Sequence, residues 1–207
     1  MKPEKMLEIL QTAGRLQTAV RHCWTEENRR ESVADHSWRI ALMAMLMREE
    51  EEFAGYDMDR VIRMCLIHDL GEAFTGDIPT FEKTDGARVT EDELYAAWVG
   101  SFPQPQQEAW QSLLAEMKEQ QTPEAKLYKT LDRIEALISH NESDLDTWLP
   151  LEYDLQYTYG KRRWMKSRIC VRCGRPWMRG QRKKSVKKRT AGKLSGKRKN
   201  GWVSPSI

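Results

Sequence analysis

The sequence predicts an all-α helical bundle over residues 1–159, followed by a basic tail over residues 160–207. Three observations carry this reading. No stretch of residues 1–159 sustains the alternate-residue pattern of a β-strand. Apolar side chains recur instead at helical spacing, most plainly at Leu127, Leu131, Ile134 and Ile138. Two segments also carry helix-start chemistry. Ser32-Val33-Ala34-Asp35 resembles a capping box with Asp in place of Glu, and Thr122-Pro123-Glu124 joins a hydroxyl cap to a first-turn proline and acid.

Taken in order, Leu7, Leu10, Leu16 and Val20 suit an amphipathic helix over residues 4–20, interrupted near Gly14. Val20-Arg21-His22-Cys23-Trp24 then forms a basic and aromatic cluster ahead of a charged loop, Thr25 to Glu31. The helix opened by Ser32 holds Ile40, Leu42, Met43, Met45, Leu46 and Met47. Apolar side chains on more than one face place it centrally in the fold. A further helix is expected from Met58 to Asp69. Residues 80–90 read as a mobile, solvated loop, and Thr90 as the cap of a helix to about Val99. Pro103 and Pro105 break that helix, and another amphipathic one follows to about Glu119. The helix opened by Thr122 carries Asp132 beside its apolar stripe and ends at Asn141, Glu142, Asp144 and Asp146. A short helical segment to about Tyr159 closes the body.

A chain of 207 residues suits one domain with a proper core. It has no apolar run near the roughly 20 residues of a membrane span and no long apolar stretch at its N-terminus of the kind a secretory signal uses. Cys23, Cys65, Cys170 and Cys173 do not make a disulfide framework in a chain this size. A reducing, cytoplasmic compartment is expected. The overall charge of +3 hides an asymmetry: residues 160–207 hold 18 Lys and Arg and no acid, so residues 1–159 carry a net −15.

The chemistry concentrates in Ile67-His68-Asp69-Leu70-Gly71-Glu72, which continues through Thr75-Gly76-Asp77-Ile78-Pro79. An apolar run delivers a His-Asp pair to the end of a helix, and Glu72 and Asp77 follow in one short loop. Imidazole and carboxylate are both ligands for divalent metals. Taken singly, the neighbours have plainer readings. His36 in a first helical turn is commonly structural, and Asp132 beside an apolar stripe must be paired or metal-bound. Arg21 reads as a surface arginine or a phosphate contact, and Trp24 as a buried indole or a substrate-pocket wall.

Three segments in this order, Ser32-Val33-Ala34-Asp35-His36-Ser37, His68-Asp69-Leu70-Gly71-Glu72 and Leu131-Asp132-Arg133-Ile134-Glu135-Ala136, resemble the HD superfamily of metal-dependent phosphohydrolases. Within it the chain is most similar to the bacterial 5′-deoxynucleotidases, over roughly residues 4–159. The resemblance implies an HD-domain helical bundle in which His36, His68, Asp69 and Asp132 bind one divalent ion, chosen from Mn, Co, Fe or Zn, with Mg admitted. It implies that Glu72 and Asp77 act around the attacking water and the leaving oxygen, and that Arg21 contacts phosphate. It further implies a nucleoside 5′-monophosphate substrate and a homodimer; neither a membrane nor nucleic acid is expected as a partner. The family's tryptophan next to that arginine is replaced here by His22. Trp24 is the candidate substitute, and deoxyribose selectivity is the property this departure touches. Hydrolysis of another nucleotide, such as a cyclic nucleotide or (p)ppGpp, is the alternative within the class.

The tail follows a different grammar. Trp164, Trp177 and Trp202 lie in a basic background without helical periodicity, and Cys170-Val171-Arg172-Cys173 is half of a zinc knuckle with no second half in the tail. The tail reads as disordered; a nucleic-acid-binding arm is one reading, and a frameshifted translation is the favoured one. In support of the latter, Gly160 to Lys184 can be back-translated and read one base later as an acidic amphipathic helix.

Overall fold

The computed structural model describes residues 1–25, 29–78, 84–150 and 152. The chain divides into two compact units, Met1–Asp144 and Leu145–Ile207. The expected boundary at 159/160, the basic tail with its cysteine pair and frameshift reading, and the end of the helical segment near Tyr159 lie outside the described residues. In the second unit, a 3₁₀ turn over Leu145–Thr147 is followed by Leu149, whose N–H donates to the Glu152 carboxylate at 2.6 Å.

The first unit is helical with one small β-ribbon. Helix α1 (Pro3–Ala13) begins with proline at its first turn and passes at Gly14 into a 3₁₀ turn, Gly14–Gln17. Ile9 and Leu16 face inward, whereas Leu7, Leu10 and Val20 are exposed, so the buried face differs from the one the sequence pattern suggests. Strands β1 (Val20–Trp24) and β2 (Arg30–Ser32) then pair antiparallel. Val20 faces Ser32 and Trp24 faces Arg30, so β1 carries more residues than β2 over the same span. That bulge scrambles the two-residue period, and the end of the expected charged loop is strand instead.

Helix α2 (Val33–Met47) starts where predicted. The Ser32 hydroxyl accepts from Asp35 N–H at 3.1 Å, and the Asp35 carboxylate accepts from Ser32 N–H at 2.9 Å. This closes a capping box, with Asp serving as the third helical residue. Val33, His36, Ile40 and Ala44 are buried, while Trp38, Leu42, Met45 and Leu46 are exposed. The helix is therefore central on one face only, where it packs on α3 (Met58–Ile67) and α7 (Pro123–Glu142).

Asp57 caps α3, accepting from Arg60 N–H at 3.0 Å, and Val61, Met64 and Cys65 are fully buried. The regular helix stops at Ile67, so His68 and Asp69 lie in the turn that leads to a single helical turn, α4 (Glu72–Thr75). Gly71 is needed here because a Cβ would come within 2.9 Å of Glu91 Cγ on α5 (Asp85–Gly100). Gly76 ends α4 with φ +74, a conformation that favours glycine. Thr84, not Thr90, caps α5: its hydroxyl accepts from Ala87 N–H at 3.2 Å, while the Thr90 hydroxyl donates back to Gly86 O at 3.1 Å. The expected loop over 80–90 is thus helical from Asp85. Helix α6 (Gln106–Glu119) follows the two prolines as expected. Edge-to-face contacts join Phe74 to Trp98 at 5.8 Å, Trp98 to Phe102 at 4.9 Å and Phe102 to Trp110 at 5.2 Å, fastening α4 to α5 and α6.

Thr122 caps α7, accepting from Ala125 N–H at 3.1 Å. Leu127, Leu131 and Ile134 are buried as predicted, but Ile138 is only half-buried and Leu137 takes its place. The helix meets α2, α3 and β1 together, so a broad side of it is enclosed. Glu135, Ser139 and Asn141 are buried with the apolar residues.

Candidate metal centre

Each part of the site is delivered by a different element. His36 comes from the first turn of α2, His68 and Asp69 from the end of α3, and Asp132 from the middle of α7. The atoms that face one another are Nε2 of both histidines, Oδ2 of Asp69 and Oδ1 of Asp132. His68 Nε2 is 2.9 Å from Asp69 Oδ2 and 3.8 Å from Asp132 Oδ1. His36 Nε2 is 3.2 Å from Asp132 Oδ1 and 4.0 Å from Asp69 Oδ2. Bonds of 2.0–2.2 Å to a shared ion put neighbouring ligand atoms about 3.0–3.4 Å apart. His36, His68 and Asp69 offer atoms within 4.8 Å of one another and Asp132 stands against both imidazoles, a looser cluster than a filled coordination shell.

Protonation is fixed from the far side of each ring. His68 Nδ1 lies 2.9 Å from the Cys65 carbonyl oxygen, which can only accept, so this nitrogen bears the hydrogen. His68 Nε2 is thereby turned toward the carboxylates, buried and without a hydrogen bond of proper geometry despite the nearby Asp69 oxygen. His36 Nδ1 abuts Glu135 Oε2 and donates to it. Two imidazole Nε2 atoms therefore face two carboxylates, an arrangement that calls for positive charge between them, a proton or a cation. The same demand appears in His36, where burial and Arg21 oppose a charge, yet hydrogen bonds with Asp132 and Glu135 push its pKa up to about 9. Burial alone would raise the Asp69 carboxyl, but His68 holds it well below the usual range. Burial likewise works against Asp132, and Lys129 and the imidazoles pull it far down. Both carboxylates are thus ionised. This donor set fits a divalent cation.

Other charged groups surround the four. Arg21 on β1 donates from Nε to Glu31 Oε2 at 3.0 Å, and its Nη1 is 3.8 Å from Asp69 Oδ2. Asp77 is close enough to be among the carboxylates that raise the Arg21 pKa. Glu72 is buried at the start of α4, its N–H donating to Asp69 O at 3.0 Å. Trp24 is half-buried, with the Arg30 guanidinium 4.9 Å from its ring centroid and its backbone held by the Ser143 hydroxyl. The sequence reading assigned no role to Glu31, Glu135, Arg39, Ser139 or Lys129. Lys129 Nζ is 2.7 Å from Asp132 Oδ2, Arg39 Nε is 3.0 Å from Glu135 Oε1, and Ser139 Oγ donates to Glu31 Oε1 at 2.7 Å. One signal was available: Asp132, Glu135 and Ser139 recur at the spacing of a single helix face.

A helical domain built around such a His/Asp cluster defines a class of metal-binding hydrolytic domains, and comparison with known proteins agrees. The HD domain family model matches residues 13–169. The chain belongs to the HD domain family. It is 30% identical over 141 residues to the 5′-deoxynucleotidase HDDC2 of Homo sapiens, covering 66% of this chain and 67% of that protein. The Dictyostelium discoideum 5′-deoxynucleotidase HDDC2 is 28% identical over 177 residues, covering 75% and 88%. Among solved structures, a predicted metal-dependent phosphohydrolase from Magnetospirillum magnetotacticum is 27% identical with a TM-score of 0.71, covering 88% of this chain and 91% of that one.

Proposed function

We propose that this chain removes the 5′-phosphate from nucleoside monophosphates, deoxynucleotides foremost, with one divalent ion held by His36, His68, Asp69 and Asp132. The observation that carries the reading is the meeting of two imidazole Nε2 atoms, each turned inward by a contact at its Nδ1, with two ionised carboxylates. Membership of the HD family and similarity to 5′-deoxynucleotidases support it. When bound, a divalent ion supplies Lewis acidity toward a phosphoryl oxygen and acidifies water. Mn, Co, Fe and Zn suit this mixed imidazole and carboxylate set, with Mg admitted.

The remaining steps fall to the chain's own side chains. Arg21 takes the phosphate, for which its planar guanidinium is suited. Glu72 orients or deprotonates the attacking water, and Asp77 protonates the departing 5′ oxygen. The two roles are exchangeable between them. Trp24 forms a wall of the nucleoside pocket, standing in for the tryptophan that His22 replaces. The exposed apolar row Trp38, Leu42, Met45 and Leu46 on α2 supports a homodimer. Among the described residues no helix is long and apolar enough to cross a membrane, and a cytoplasmic location goes with the reading.

The deciding experiment measures phosphate release from a nucleotide panel after chelation and re-addition of Mn, Co, Zn or Mg. Release from deoxynucleoside monophosphates that returns with metal is the expected result. Activity confined to cyclic nucleotides or (p)ppGpp would overturn the substrate assignment. Equal rates on AMP and dAMP would remove the deoxyribose preference.

A further inference from the structure

A second knot of buried charge stands beside the ligand cluster. Atoms of Glu31, His36 and Glu135 lie within 4.8 Å of one another, and all three residues are buried. The residue types would suit another cation, but each carboxylate already has a cationic partner, although Glu135 Oε1 makes no hydrogen bond of proper geometry. Glu31 has Arg21 and Ser139, and Glu135 has His36 and Arg39. The knot is therefore a bracket rather than a vacant site.

We infer that Glu31 is a positioning residue that aims Arg21 at the substrate phosphate; this rests on the function proposed above. Glu31 is 1% exposed. A buried ion pair is a poor device for stability, since well-packed apolar residues commonly replace one without loss. Its orienting effect is more specific. A guanidinium is planar, so gripping it at Nε fixes its plane. The grip comes from Glu31 Oε2 at 3.0 Å and leaves the terminal nitrogens toward the ligand cluster, where Nη1 is 3.8 Å from Asp69 Oδ2.

Glu31 is itself held from α7, since its other oxygen accepts from Ser139 Oγ at 2.7 Å. Asp132, Glu135 and Ser139 follow one another up the same face of that helix. The first reaches the ligand cluster, the second holds His36, and the third holds Glu31. One rigid helix thus sets both the ion side and the phosphate side of the site. The distance between them is fixed before substrate arrives, which lowers the ordering cost of binding.

The test uses the full chain, loaded with Mn²⁺ for titration with inorganic phosphate or a deoxynucleoside, and metal-free for titration with Mn²⁺. Glu31→Gln keeps the size of the side chain and removes its charge. It should weaken phosphate binding about 10-fold, the scale of one well-placed charge-assisted bond. Deoxynucleoside and Mn²⁺ affinities should be unchanged. Ser139→Ala should weaken phosphate in the same direction by less, and it decides the matter if Glu31→Gln does not fold. Wild-type phosphate affinity in both variants would overturn the inference. So would an equal loss of phosphate, deoxynucleoside and Mn²⁺, which marks a merely structural role. A wild-type chain that binds phosphate yet cleaves no nucleotide would defeat the proposed function and leave this inference standing. A wild-type chain that binds no phosphate would defeat both.

Discussion

His36 Nδ1 abuts Glu135 Oε2 in the interior, and neither side chain reaches solvent. The contact fixes the tautomer of His36 and turns its Nε2 toward Asp69 and Asp132. Glu135 is anchored in turn by Arg39 Nε at 3.0 Å, and Arg39 reaches Glu142 at 2.9 Å.

Carboxylates that orient a ligating imidazole typically govern metal affinity by about 10–100-fold. Glu135→Gln should therefore weaken Mn²⁺ or Zn²⁺ binding by about that factor, read by competition with a chelating indicator. An affinity equal to wild type would show that His36 needs no such partner.

Asp132 divides its two oxygens, Oδ1 toward the imidazoles and Oδ2 toward Lys129 at 2.7 Å. On the proposed ligand set, removing it takes away one of four donors. A ligand that binds only the folded state adds about 2.7 kcal/mol when present at 100 times its dissociation constant. Wild-type protein should gain about that much on saturation with Mn²⁺, and Asp132→Ala should gain none and release no phosphate. Thermal denaturation with and without the ion measures both. A full metal-induced gain in Asp132→Ala would remove it from the ligand set.

Asp77 follows Gly76, whose φ of +74 sets the direction in which the chain leaves α4. It is among the carboxylates that raise the Arg21 pKa. Asp77→Ala should keep metal affinity while losing roughly 10²–10⁴-fold in turnover, the usual contribution of a general acid or base. Near-full turnover would reassign the proton transfer, with Glu72→Gln as the next variant to measure.

The helix starts and the His-Asp pair were legible because each rests on a local signal, whereas His36 and Asp132 joined that pair only through the family resemblance. Ser32 and Thr122 are capping residues wherever they stand, and His68-Asp69 is a dipeptide. The β-ribbon was hidden because its strands are short and its bulge destroys the alternation. Thr84 and Thr90 offer the same capping chemistry, and no local pattern decides between them. Glu31 and Glu135 were hidden for a different reason. Glu31 closes a charged run and Glu135 is one of several acids on α7, so in sequence both look solvated. Their burial comes from three elements meeting, which no local pattern records. The outward row on α2 erred the other way, since apolar side chains do not state which of them the core will cover.

The start of α2 matters to the site because His36 sits one residue past Asp35, in the turn the capping box secures. Burial tends to raise the Asp35 pKa, but bonds from the Arg29 guanidinium and from Ser32 hold it below the ordinary carboxylate value. A carboxyl depressed in the folded state stabilises the protein above its unfolded pKa, about 3.9, and loses that contribution as pH falls through the folded value. Asp35→Ala should therefore cost about 1 kcal/mol at neutral pH, the usual scale of a lost cap. The gap to wild type should shrink as pH drops below about 4. Urea denaturation of the metal-free proteins across that range measures the gap. A difference that stays constant with pH would mean that the ionised carboxylate is not what holds the first turn of α2.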